Sequence, residues 1–120
     1  MTPNGKRTMR KTRLNPSQQL FKKYQYEKLL RNSKDPGEDY APVVKFFDPW
    51  GAATWLLTEC DEDGLAFGLC DLGFGCPEMG AVSMKEICSI GRIERDLHFK
   101  TSKPLSEWAA EARADGHIKA

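Results

Sequence analysis

Six acids, Glu59, Asp61, Glu62, Asp63, Asp71 and Glu78, fall within one twenty-residue stretch of this chain. Two carboxylates facing each other across a cleft can act as acid and base on a glycosidic bond, or share a divalent metal. The most obvious couple fails on geometry. If Asp61 lies opposite Gly64 in a hairpin, paired residue numbers sum to 125, and Glu59 and Asp71 point to opposite faces. Asp61 to Asp63 then occupy an exposed turn. A couple of Glu59 with Glu78 is left open. The glycines from Gly73 to Gly80 lack the Lys-Ser/Thr ending of a P-loop and the Gly-x-Gly-x-x-Gly order of a dinucleotide site, so they read as turn formers. His98 and His117 lie far apart, and no Gly-x-Ser-x-Gly elbow is present. Cys60, Cys70, Cys76 and Cys88 are separated by nine, five and eleven residues. Structural zinc sites use closer pairs, so these thiols read as small apolar fillers. No catalytic residue, metal ligand or cofactor is expected from these patterns.

The strongest chemical signal is charge. Residues 1–31 hold nine Lys or Arg against one acid, Glu27, which leaves nine basic and sixteen acidic residues in the remainder. Lys6, Arg7, Arg10, Lys11 and Arg13, joined by Lys22 and Lys23, could neutralise several phosphates and bind nucleic acid in a salt-sensitive way. The same split suits a segment that docks on the chain's own acidic domain or on that of a second copy. A solubilising tail is the plainer alternative.

These groups need elements to position them. Residues 1–14 are nearly devoid of apolar side chains and read as a basic flexible arm, followed by one domain over 15–120. Asn15-Pro16 signals a helix start, and a helix is expected from Pro16 to about Arg31. Leu20, Tyr24, Leu29 and Leu30 would face the core with Phe21 beside them, while Lys22, Lys23 and Gln25 face water. Strands are expected over 42–47, 53–60, 65–72 and 93–99, the second and third forming an antiparallel hairpin around Asp61-Glu62-Asp63-Gly64. Both hairpin faces are apolar enough to need cover. Trp55 opposite Cys70 and near Gly68 reads as a large ring filling space left by small neighbours. A glycine-rich loop follows over 72–80. Ser83 and Glu86 form a capping box for a short helix, and Ser102-Lys103-Pro104 starts a last one that ends near Gly116. The fold class is therefore α+β: a small antiparallel sheet of about four or five strands with flanking N-terminal, short middle and C-terminal helices.

At 120 residues, with 40% hydrophobic and 29% charged content, the chain fits one domain that needs neither metal nor disulfide to fold. No apolar run suits a membrane span or a secretory signal, so a cytoplasmic protein is expected.

Val43-Val44-Lys45-Phe46-Phe47, Thr54-Trp55-Leu56-Leu57-Thr58-Glu59, Phe67-Gly68-Leu69-Cys70-Asp71-Leu72-Gly73, Pro77-Glu78-Met79-Gly80, Glu94-Arg95-Asp96-Leu97-His98-Phe99 and Pro104-Leu105-Ser106 resemble, in order, an uncharacterised family of single-domain bacterial proteins. That family is a domain of unknown function common on plasmids, phages and mobile elements. The resemblance covers about residues 15–118. It implies a setting near DNA-transfer, methylation and anti-restriction genes, and no active site. The function expected is a non-enzymatic accessory protein that binds a protein partner, in an anti-defence role in its sharper version, with Tyr40, Trp50 and Phe74 as contacts. Nucleic-acid binding by the basic arm is the alternative, and an enzyme using the carboxylates and the glycine-rich loop is the third. Oligomeric state is not legible.

Overall fold

The computed structural model describes residues 19–120. The Asn15-Pro16 signal and the arm residues Lys6, Arg7, Arg10, Lys11 and Arg13 lie outside the described residues.

Gln19 to Lys22 form a turn and bend rather than helix, and the first described helix, α1, runs over Lys23–Ser33. Gln25 turns its side-chain oxygen back to accept the Lys22 N–H at 2.9 Å. Phe21 stacks on Tyr26 with ring centroids 6.0 Å apart. These contacts are half of a capping box and a hydrophobic staple, and they fix where the helix begins. The buried face of the helix also differs from the expected one. Gln25, Tyr26, Leu29 and Asn32 are buried, whereas Tyr24, expected in the core, is exposed.

Among the described residues five strands, β1 (Val44–Phe47), β2 (Thr54–Cys60), β3 (Leu65–Asp71), β4 (Glu78–Ser83) and β5 (Glu94–Arg95), form one antiparallel sheet in the order β4-β3-β2-β1-β5. The hairpin keeps its expected register from Thr54 opposite Asp71 to Leu57 opposite Gly68. The next pair is Glu59 with Phe67, so Thr58 is an extra residue and β2 bulges there. Asn32 on α1 holds that bulge, its amide donating to the Thr58 carbonyl at 3.0 Å.

Two expected elements change length. Gly73 and Gly75 turn the chain with positive φ, 92° and 82°, so Glu78 to Gly80 are free to pair with β3 as strand rather than loop. The strand expected over 93–99 is only Glu94–Arg95, because the Asp96 carboxylate accepts the His98 N–H at 2.9 Å and bends the chain away. The short helix α2 (Met84–Ser89) starts where Ser83 accepts the Glu86 N–H at 3.3 Å. The last helix, α3 (Leu105–Asp115), stops at Gly116, whose φ of 80° suits a left-handed cap.

The sheet is covered on both faces. Trp55, Leu57, Cys60 and Ala66 pack with Phe21 and Leu29 from the α1 segment and with Met84 and Ile87 of α2. On the opposite face Leu56 and Leu69 meet Leu105, Ala109, Ala112 and Ile118. Fully buried leucines such as Leu29, Leu56, Leu57 and Leu69 contribute about 1.5–3 kcal/mol each. This is an α+β fold. No helix among the described residues is long and apolar enough to cross a membrane.

Candidate functional sites

Beside the start of α3 part of the sheet stays open, and Leu65, Phe67, Met79 and Ala81 line a cleft of about 580 Å³. Its other side is the connection from α1 to β1, with Glu38, Asp39 and Tyr40. Glu59 and Asp61 also line it, and among the described residues no Lys or Arg does. Two of these four acids are occupied. Asp39 caps α3 by accepting the Ser106 N–H at 3.0 Å and the Ser106 hydroxyl. One Asp61 oxygen accepts the N–H groups of Asp63 and Leu65, each at 2.9 Å. The side chains of Glu38 and Glu59 have no hydrogen bond or ion pair among the described residues. Burial pushes the Glu59 carboxyl above its ordinary range. Burial, and then the charges of Asp35, Glu38 and Glu59, push the Tyr40 hydroxyl up; that hydroxyl donates to the Asp35 carbonyl at 2.8 Å.

The bulge corrects one expectation about the carboxylates. It turns Glu59 to the Phe67 face, which is also the face of Asp71, so the two acids are not on opposite sides. Four positions of strand separate Phe67 from Asp71, about 13 Å. Leu69 lies between them, buried under α3. Asp71 is itself buried and engaged, accepting the Gly73 and Ile118 N–H groups, each at 2.9 Å. Glu78 pairs with Cys70, which puts it on the face away from Glu59. The structure therefore brings together neither couple of acids. Among the described residues no group of three or more His, Cys, Asp or Glu is placed to hold a metal ion.

The three aromatic candidates separate into two places. Tyr40 is half-buried in the cleft wall. Trp50, 83% exposed, and Phe74, 82% exposed, project from the β1–β2 and β3–β4 connections at the other end of the hairpin. Those connections touch, since a methyl added to Gly73 would stand 2.7 Å from the Ala52 methyl. Leu72 is exposed beside them. Asp48 fixes the first connection, accepting the Trp50 N–H at 2.9 Å and a two-pronged ion pair from Arg92. Of the basic candidates, Lys22 and Lys23 are exposed at the start of α1. Lys22 lines a hollow of about 280 Å³ with Arg95, His98 and Lys100.

A family model described as "Protein of unknown function (DUF2958)" matches residues 17–119. The chain belongs to the DUF2958 family. No curated protein and no solved structure matches it. The DUF2958 match takes in Lys22, Lys23, Tyr40, Trp50 and Phe74 and leaves Lys6 to Arg13 outside. Within this DUF2958 domain the cleft is the feature that sequence reasoning missed. Glu38 and Asp39 read as loop acids and Met79 as part of a glycine-rich turn, and they meet Glu59 only because of the bulge and the position of β4. The legible signal was the apolar hairpin face that carries Leu65 and Phe67.

Proposed function

We propose that the protein is a non-enzymatic accessory factor of bacterial mobile elements that acts by binding a protein partner. The observation that carries this reading is the exposed trio of Trp50, Leu72 and Phe74 on two adjoining connections. Neither aromatic ring contributes to the core, and both stand on backbone that Asp48 and Asp71 hold in place. Large rings presented on pre-organised backbone bury much area at little entropic cost, which is the character of interface anchors. The mobile-element setting rests on the ordered resemblance described above, and an anti-defence role is its sharper form. Affinity capture from host lysate with the wild type and with a Trp50→Ser, Phe74→Ser double variant tests it. Proteins recovered reproducibly by the wild type and lost with the folded variant support the reading. Equal recovery by both, or none by either, overturns it.

Nucleic-acid binding is the second reading, favoured by Lys22, Arg95, His98 and Lys100, which with one acid, Asp96, surround a hollow directly after the basic arm. Each phosphate contact adds close to one unit of logarithmic salt slope on duplex DNA. Titration of DNA and RNA at two salt concentrations, with the full chain and with residues 1–13 removed, tests this. Absence of binding by both at low salt sinks it.

A further inference from the structure

Among the described residues, the cleft beside α3 combines an apolar lining of Leu65, Phe67, Met79 and Ala81 with four carboxylates and no cation. Two of those carboxylates, Glu38 and Glu59, are unmatched among the described residues. Glu59 is partly desolvated, so its ionised form lacks both full hydration and a counter-charge. A polar partner would be pulled in by the acids alone, and an apolar one by the lining alone. The combination selects an occupant that is basic and carries apolar side chains between its charges. One such segment is present in this chain. Lys6, Arg7, Arg10, Lys11 and Arg13 flank Met9, Leu14 follows directly, and no acid interrupts residues 1–26.

We propose that the cleft is the docking site of the chain's own basic segment, Lys6 to Arg13, with its cations against Glu38 and Glu59 and Met9 over Phe67 and Met79. The length of chain permits it. Ser33, at the end of α1, lines the cleft, and α1 has eleven residues, about 16 Å of helix. Six residues lead from Gln19 back to Arg13, about 20 Å when extended, and Lys6 lies further still. A segment tied to the same molecule acts at an effective concentration in the millimolar range, which favours it over the same segment of a second copy. The contact is electrostatic and exposed at its rim, so it weakens as salt rises. Docking also ties the two charge-bearing halves of the chain to each other. An anionic ligand of the arm and the acidic cleft then compete for the same cations. This inference is independent of any partner at Trp50 and Phe74.

Zero-length carbodiimide coupling of lysine amines to carboxylates in the full chain, read by mass spectrometry of proteolytic fragments, tests it. An equal mixture of ¹⁴N and ¹⁵N protein distinguishes contacts within one molecule from contacts between two. The Lys103–Glu111 ion pair, 2.6 Å apart, supplies an internal product that shows the coupling has worked. The expected result is linkage of Lys6 or Lys11 to Glu38 or Glu59, isotopically unmixed, falling at least tenfold between low salt and about 1 M salt. Isotopically mixed linkage makes the occupant a second copy and overturns the proposal. So does linkage spread equally over Glu107, Glu111 and the cleft acids, or a Lys103–Glu111 product without any arm-to-cleft product.

Discussion

Gly68 lies directly against the backbone of Leu57: a methyl built on its Cα would stand 2.8 Å from the Leu57 Cα and closer still to the Leu56 carbonyl oxygen. The sequence reading put a tryptophan ring in the space beside this glycine. Trp55 is buried opposite Cys70 as expected, and neighbouring backbone also crowds Gly68, at the point where β2 begins to bulge. Replacing Gly68 with Ala forces β2 and β3 apart at the bulge. We expect a loss of about 1–3 kcal/mol or more, the usual cost of overpacking where backbone has to move. Chemical denaturation of G68A should show a lowered midpoint with native-like slope. An unchanged midpoint would mean that the strands separate freely there.

Asp71 joins the β3–β4 connection to the end of the chain through Gly73 and Ile118. Asp71→Ala removes both acceptors and leaves two N–H groups to find water. Hydrogen bonds to charged groups are worth about 1.5–3 kcal/mol each, and partial rehydration should bring the net loss to about 2–4 kcal/mol. Hydrogen exchange at the Ile118 amide should accelerate more than at Leu56, because the chain end detaches before the sheet opens. Equal acceleration at both sites would show that Asp71 acts only on global stability.

None of the four cysteines forms a disulfide among the described residues, and they differ in exposure. Burial, helped by the Asp61 charge, pushes the Cys60 thiol up to about 12, and burial raises Cys70 and Cys88 as well. Cys76 is exposed. A thiol-specific aromatic disulfide at pH 8 should therefore label Cys76 first and Cys60 only on unfolding. Labelling of Cys60 at the rate of Cys76 would contradict the buried placement. The sign for stability follows. Folded Cys60 keeps its proton where the unfolded thiol ionises, so its contribution is complete below pH 9 and is lost as pH rises from there toward 12.

The hydrogen bonds from Arg92 hold the Asp48 carboxyl below its ordinary value, against the opposing effect of burial. Its contribution to stability is complete above that ordinary value of 3.8 and drains away as pH falls from there through the lower folded value. D48N should melt earlier than the wild type at pH 7, and the two should converge as pH falls below about 4. Thermal melts from pH 2 to 7 measure this. A constant difference across that range would show that the charge plays no part.

How much of this was readable depended on whether a signal was local. The hairpin register from Thr54 to Leu57, the Ser83 cap and the Gly116 stop each rest on residues close in sequence, and all three stand in the structure, while nearer the turn Cys60 pairs with Ala66 rather than Leu65. The phase of α1 was misread although its signal was also local. Phe21, Gln25 and Tyr26 supply the staple and cap at the start of the described helix, and the Asn15-Pro16 signal lies outside the described residues. The Thr58 bulge was not readable, because it is held by Asn32 twenty-six positions away. With it went the face of Glu59 and hence the acidic cleft. β4 was hidden because Gly80 lowers strand propensity, while its pairing partner Gly68 accommodates it at no steric cost.

β4 ends the sheet, and its phase decides what that border offers to other molecules. The Met84 N–H donates to the Gly64 carbonyl at 2.9 Å, one step beyond the Leu65–Ser83 pair. In an antiparallel ladder the hydrogen-bonded positions alternate, so Val82 and Gly80 bond inward to β3 while Met79 and Ala81 turn their N–H and C=O groups outward. Neither lysine nor proline occurs between Met79 and Ser83 to discourage a neighbour. At high protein concentration this border is the place where one molecule would begin to pair with the next. Colloidal instability, if it arises, should start at Met79 and Ala81 rather than at the more conspicuous aromatic rings.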